Sequence, residues 1–162
     1  QATVFYSHMQ TKGPLDMFDR LHEVVGAHAL QGMHWWIDYF CIRQCMNDFE
    51  PEQIIGLIKQ IGQTVFEVDC ELAPLRRSFC VLELYATVVG EAWLVCEMEP
   101  QTAADVEGLM KAKAKLVDSR NASARRLRDK EMIDKYIAES IGFQALDEEV
   151  TRAFREAVKE MW

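Results

Sequence analysis

The chain has 162 residues, 26 acidic against 18 basic, and a formal charge of −8 at pH 7. Apolar residues make up 49%, aromatics 10% and only four residues are proline, which excludes a disordered chain and implies one domain with a sizeable core. No window reaches the roughly 18 uninterrupted apolar residues of a membrane span, and an acidic balance excludes nucleic acid as the default partner, because phosphate binding needs a basic face.

Ala2 to Ser7 is a short β-rich run that ends in the polar loop His8 to Pro14. Leu15, Phe18, Leu21, Val24, Val25 and Ala29 then recur at three- and four-residue spacing, which predicts a helix to about Leu30, stopped by Gly32. His34 to Ile42 is aromatic and β-branched, the composition of a buried strand. Pro51 suits the first position of a helix running to Ile61, with Ile54, Ile55, Leu57, Ile58 and Ile61 inward. Gly62 closes that helix, and Thr64 to Val68 reads as the third strand. After a loop containing Pro74, Ser78 is expected to cap a helix from Phe79 to about Val89. Gly90 ends it, and Ala92 to Cys96 is the fourth strand. The order β-α-β-α-β-α-β with short apolar strands predicts an α/β fold, a parallel sheet with helices on both faces.

Beyond Pro100 the pattern becomes helical. Thr102 to about Lys113 is a helix, Lys115 to Asp118 a candidate fifth edge strand, and Lys130 to Ile141 and Asp147 to Trp162 two amphipathic helices parted by Gly142 and Phe143. In the last, Val150, Phe154, Ala157, Val158 and Met161 form the apolar stripe. The expected organisation is an α/β module over residues 1–100 and a helical extension over 101–162, packed together as one compact unit.

Charge divides along the same line. Residues 1–101 carry 14 acids and 6 bases, whereas residues 102–162 carry 12 of each. Within the second part, Lys111 to Arg128 holds seven bases and one acid, Asp118. That basic stretch is read first as a helical tail lying against the acidic module or facing solvent, and second as an anion contact. Five cysteines is an odd number, and three lie in apolar runs, so buried thiols in a reducing, cytoplasmic setting fit better than a disulfide frame. Gln1 is not methionine and no signal peptide follows, the pattern expected of a processed chain or excised domain.

In an open parallel sheet, ligands bind beyond the carboxyl ends of the strands. That places Ser7, His8 and Gln10 after strand one, Arg43 and Gln44 after strand two, and the segment Asp69 to Ser78 near any site. Glu83 stands out: it is the one charge between Phe79 and Val89, in a helix apolar all round and so largely buried. A buried carboxylate is costly without partners. Glu83 therefore either points to the solvent edge or pairs with Arg76 or Arg77, or else it lines the ligand crevice. Asp38 in the second strand poses the same choice between a structural hydrogen bond and a ligand contact, and its aromatic neighbours read as core. No tight CxxC or HxxxH pair marks a metal site. No GxGxxG or Walker pattern follows the first strand.

Two motifs carry a family resemblance. Val4 to His8 resembles the first strand of Toll/interleukin-receptor-type (TIR) domains, and Arg77 to Leu84, with Ser78, Phe79, Cys80 and Glu83, resembles their Ser-x-Trp-Cys-x-x-Glu-Leu helix segment. The likeness covers roughly residues 3 to 97, with Phe79 in place of the tryptophan. Trp36 to Gln44 is similar to the Trp-Ile-Asp-x-x-Cys-Ile-x-Gln of heterokaryon-incompatibility (HET) domains, themselves remotely TIR-like. The resemblance implies a flavodoxin-like sheet and, in enzymatic members, cleavage of the nicotinamide–ribose bond of NAD+, a substrate and not a bound cofactor. It casts Glu83 as the catalytic carboxylate, places Ser7 and His8 beside the ribose or adenine, and has Phe79 shape the pocket. On so acidic a module the pyrophosphate needs local cations: Arg43, Arg76 or Arg77, or the basic stretch folding back across them. A non-catalytic TIR/HET-like module that signals by self-association is the second expectation, and a different nucleotide-processing enzyme the third.

Overall fold

The computed structural model describes residues 1–8, 15–16, 18–19, 22, 32–37, 41, 49–99 and 102–160. Its frame is a four-stranded parallel sheet: β1 (Val4–Ser7), β2 (Trp35–Ile37), β3 (Gln63–Glu67) and β4 (Trp93–Glu97). The spatial order is β2-β1-β3-β4. In register, Phe5 lies beside Trp36 and Thr64, and Thr64 beside Leu94. This is the flavodoxin-like arrangement, in which the chain reverses its direction of winding between β1 and β3 and opens a crevice at their carboxyl ends.

Alternation along the strands buries both faces, as an all-parallel sheet requires. Phe5, Ser7, Thr64 and Phe66 point to one side, and Val4, Tyr6, Ile37 and Val65 to the other; all eight are buried. The aromatics of β2 enter the core: Trp36 stacks on Phe5 at 4.7 Å, and Trp35 meets Tyr6 edge-on at 6.0 Å.

Helix α1 (Pro51–Ile61) forms where expected, with Pro51 at its start and Ile54 and Ile58 packed against Phe5. Gly62, at φ 80°, takes the left-handed conformation that ends the helix, its N–H bonding the Ile58 carbonyl at 2.9 Å. After a 3-10 turn (Ala73–Arg76), helix α2 (Ser78–Val89) runs through the centre of the molecule with nine of its twelve residues buried. Its N-cap is Arg77, not Ser78 as predicted. Ser78 is already the first helical residue, its hydroxyl makes no capping bond, and its N–H goes to the Ser123 carbonyl at 2.9 Å. Gly90 follows α2 because the backbones of α1 and α2 approach closely there. A Cβ at Gly90 would lie 2.8 Å from the Ala86 carbonyl oxygen and 3.2 Å from Lys59 Cα.

Helices α3 (Ala103–Ala112), α4 (Leu127–Glu139) and α5 (Phe143–Lys159) follow β4. The fifth strand does not form: Lys115 to Asp118 makes no strand pairing. Side chains anchor that segment instead, with Val117 fully buried and Lys115 in an ion pair with Asp147 of α5 at 2.9 Å. The two final helices begin three and four residues earlier than the sequence suggests. The predicted stripe of α5 is buried at Val150, Phe154, Ala157 and Val158, while Met161 lies outside the described residues. Phe154 reaches the sheet, its ring 6.1 Å from that of Phe66. One apolar cluster thus contains Phe66, Leu82, Val106, Ile133, Leu146 and Phe154, from both parts of the chain.

Leu15, Asp16, Phe18, Asp19 and His22 are helical, within the helix predicted to run to Leu30; the rest of that helix lies outside the described residues. Among the described residues, no helix is long and apolar enough to cross a membrane.

Candidate functional site

Strand β1 ends at Ser7, whose hydroxyl is buried and donates to Glu83 Oε2. Glu83 sits in the second turn of α2 and is only 6% exposed, so it faces the end of β1 and not the solvent edge. Two contacts hold the α2 backbone at that height. Thr87 Oγ1 lies 2.8 Å from both the Glu83 carbonyl oxygen and the Thr64 hydroxyl of β3. One turn earlier, Cys80 Sγ is 3.7 Å from the carbonyl oxygen of His8. The carboxylate is therefore fixed against β1 and β3, the two strands between which the winding reverses.

A second polar group lies at the same end of the sheet but on its opposite face. His8 stacks on Tyr6, ring centroids 5.1 Å apart, and the Tyr6 hydroxyl donates to Glu67 Oε2 at 3.3 Å. Glu67 is in register with Glu97 on β4. Burial pushes the Glu97 carboxyl above its ordinary value. Sequence reasoning passed over Tyr6, Glu67 and Glu97. Their signal is present, since each acid is the last residue of an apolar strand and parallel strands bring such ends together.

The other predicted residues divide. Arg77 is half-buried at the start of α2, and Phe79, one turn before Glu83, packs on Phe49 at 4.6 Å. Arg76 donates to the Glu71 carbonyl at 2.9 Å. Asp69 shapes the turn after β3, accepting from the N–H groups of Glu71 and Ala73 at 3.1 and 2.8 Å. Gln10, Asp38, Arg43 and Gln44 lie outside the described residues. The basic stretch does fold back. Ser123 bridges to Arg77 as a strand residue would, its N–H on the Arg76 carbonyl and its carbonyl on the Ser78 N–H, both at 2.9 Å. The loop carrying Arg120, Arg125 and Arg126 is thereby pinned to the entry of the helix that carries Glu83. Among the described residues, no group of three or more His, Cys, Asp or Glu is placed to hold a metal ion.

No family model, curated protein or solved structure matches the chain. Its function is read from Ser7, Glu83 and their surroundings.

Proposed function

We propose that this protein is a TIR-like NAD+ glycohydrolase in which Glu83 is the essential carboxylate. The observation that carries the reading is the Ser7–Glu83 pair: the one charge of a buried apolar helix, held by a hydroxyl at the carboxyl end of β1. Nothing in packing alone calls for an acid at that place, and buried carboxylates in crevices are where acid–base and glycosyl chemistry concentrates.

The chemistry asks little more. The nicotinamide of NAD+ is a cationic leaving group. It departs with the electrons of the C–N bond and needs no proton. Positive charge then develops at the ribose C1′, as in glycoside hydrolysis, and a fixed carboxylate stabilises it. Water adds to C1′ and loses a proton, giving ADP-ribose, or a nitrogen of the molecule's own adenine ring adds in its place, the base loses a proton, and a cyclic product results. Ser7 orients Glu83. His8 is assigned to the ribose or adenine, Phe79 to shaping the pocket, and Arg43 and Arg77 to the pyrophosphate, where guanidinium groups bind well.

The test is nicotinamide release from NAD+ by wild type and Glu83→Ala, alone and under crowding. Wild type should release it, and the substitution should lower the rate by about 100-fold or more, the scale of losing one electrostatic group. Release that survives Glu83→Ala would end this mechanism.

A second reading, a TIR/HET-like module that signals by self-association, is favoured by Trp93. It is 64% exposed at the start of β4, an edge strand among the described residues. Exposed edges and large apolar side chains serve as assembly surfaces. Concentration-dependent oligomers without nicotinamide release, abolished by Trp93→Lys, would favour it.

A further inference from the structure

Residues 115–118, Lys-Leu-Val-Asp, have the composition of an edge strand, yet among the described residues no strand pairs with them. The chain runs through them without helix, turn or bend. Their side chains are secured. Val117 is fully buried, Leu116 packs against the main core cluster, and Lys115 is tied to the buried Asp147. The main chain is not. Arg155 takes the carbonyls of Lys113 and Ala114, and the Asp118 carbonyl accepts from the Asn121 N–H at 3.1 Å. Among the described residues, the N–H groups of 114–118 and the carbonyls of 115–117 have no hydrogen-bond partner. Anchored side chains beside an unpaired main chain are what a strand offers to a further strand.

The same segment forms one wall of a groove. A cleft of about 840 Å³ is lined by Ala114, Lys115 and Asp118 on one side and by Gln144, Glu148 and Arg152 of α5 on the other. Past Arg155 it continues into a second cleft of about 460 Å³, lined by Lys113 and Lys159. The α5 residues recur every three or four positions from Gln144 to Lys159, a stripe about 22 Å long at 1.5 Å per residue. An extended peptide, at about 3.3 Å per residue, covers that length with about seven residues.

The groove is cationic on a protein whose total charge is −8. Seven lysines and arginines line the two clefts against four acids, and the acids are engaged. Asp147 accepts from Lys115 at 2.9 Å, Glu148 from Gln144 at 2.9 Å, Asp118 from Asn121 at 2.9 Å and Glu107 from Lys111 at 2.6 Å. Among the described residues, Lys113, Arg155 and Lys159 have no carboxylate partner; Arg155 commits only Nη2 to the carbonyls and keeps its other donors. A second copy of this segment would set Lys113 and Lys115 against their own counterparts, an unfavourable pairing of like charges. An acidic strand meets the opposite sign.

We infer that residues 114–118 and the facing stripe of α5 form a docking groove for an extended acidic segment of a partner protein, which adds here as a β-strand. Main-chain bonds to residues 114–118 hold the segment, and its alternate acidic side chains meet Lys113, Arg155 and Lys159. Neither Ser7 nor Glu83 lines the groove, so the assignment stands whether or not the protein cleaves NAD+.

The test is a titration of the full chain, isotope-labelled, with an end-blocked peptide of alternating valine and glutamate, seven residues long. Two controls accompany it: the same peptide N-methylated at alternate residues, and its lysine-for-glutamate counterpart. The acidic peptide should bind with Kd below about 1 mM at low salt. It should shift the amides of Ala114, Lys115, Leu116 and Val117 and slow their hydrogen exchange. N-methylation keeps the charge and removes the strand's donors, so affinity should fall about tenfold or more with no change to the protein. The lysine peptide should not bind. Lys113→Glu with Lys159→Glu, two exposed positions, should weaken the acidic peptide by about tenfold or more. Failure of the acidic peptide to bind, equal binding of the N-methylated one, shifts confined to the Ser7–Glu83 end, or unchanged affinity in the double variant would each overturn the assignment. Self-association that moves the same amides without peptide would give the groove to a second copy and overturn it too.

Discussion

The Ser7 hydroxyl donates to the Glu83 carboxylate, joining the end of β1 to the second turn of α2 across 76 residues of chain. Two weaker polar contacts, Thr87 to Thr64 and Cys80 to the His8 carbonyl, hold the same helix against the sheet, and the Ser7–Glu83 bond is the one among them that involves a charge. It stabilises the fold only as long as both partners are present. Either one alone leaves a buried polar group short of a partner.

Ser7→Ala is therefore expected to lower stability by about 1–3 kcal/mol, because Glu83 stays buried and loses a donor. Urea unfolding of Ser7→Ala, Glu83→Ala and the double variant forms a cycle whose coupling term should be about 0.5–3 kcal/mol. Strictly additive losses would mean that the two side chains do not communicate. Because the pair is also the proposed chemical centre, Glu83→Gln, which still accepts from Ser7, should keep most of the stability and lose the activity.

Phe154 on α5 and Phe66 on β3 make the corresponding claim for the two parts of the chain. Both rings are fully buried in one cluster. Phe154→Ala should cost about 3–5 kcal/mol, a large share of the roughly 5–15 kcal/mol that such a domain has. Thermal unfolding followed by far- and near-ultraviolet dichroism should shift as one transition. Two separated transitions, with the sheet signal unmoved, would show that the C-terminal helices are an accessory layer.

Much of this fold is legible in the residues. Pro51 and Gly62 bracket α1 because one fits a helix start and the other accepts a positive φ. The parallel sheet follows from short apolar strands separated by helical periodicity, and Glu83 stands out by composition alone. What periodicity does not encode is tertiary. Lys115 to Asp118 looks like a strand, yet its Val117 is buried in the main core cluster and its lysine is tied to Asp147 of α5, contacts that no local pattern announces. Ser78 resembles a cap, yet Ser123, 45 residues on, takes its N–H. The pairing of Glu67 with Glu97 appears only when β3 and β4 come into register.

Glu97 carries a pH dependence of defined sign. Burial raises its carboxyl above the ordinary 4.5, so the folded state holds the proton more tightly than the unfolded state. The stability it contributes is complete below the unfolded value and is lost as pH rises through the higher folded one. Glu97→Gln cannot ionise and escapes that loss. Denaturation midpoints of variant and wild type should coincide at acid pH below about 4 and separate in favour of the variant towards neutrality. A separation that grows towards acid would reverse the sign and remove burial as the cause.

The four cysteines among the described residues separate into two kinds by environment. Cys41 and Cys70 are exposed, while Cys80 and Cys96 are buried on α2 and β4. Desolvation, with Glu97 adding a smaller push, carries the Cys96 thiol up to about 12, so almost no thiolate exists at neutral pH. Alkylation of the native protein with iodoacetamide, read by peptide mass mapping, should modify Cys41 and Cys70 first. Cys80 and Cys96 should react only at the rate of opening, and all four should become equivalent in denaturant. Fast labelling of Cys96 in the native state would show that β4 is far more open to solvent than its packing against α5 implies, and would weaken the case for one continuous core.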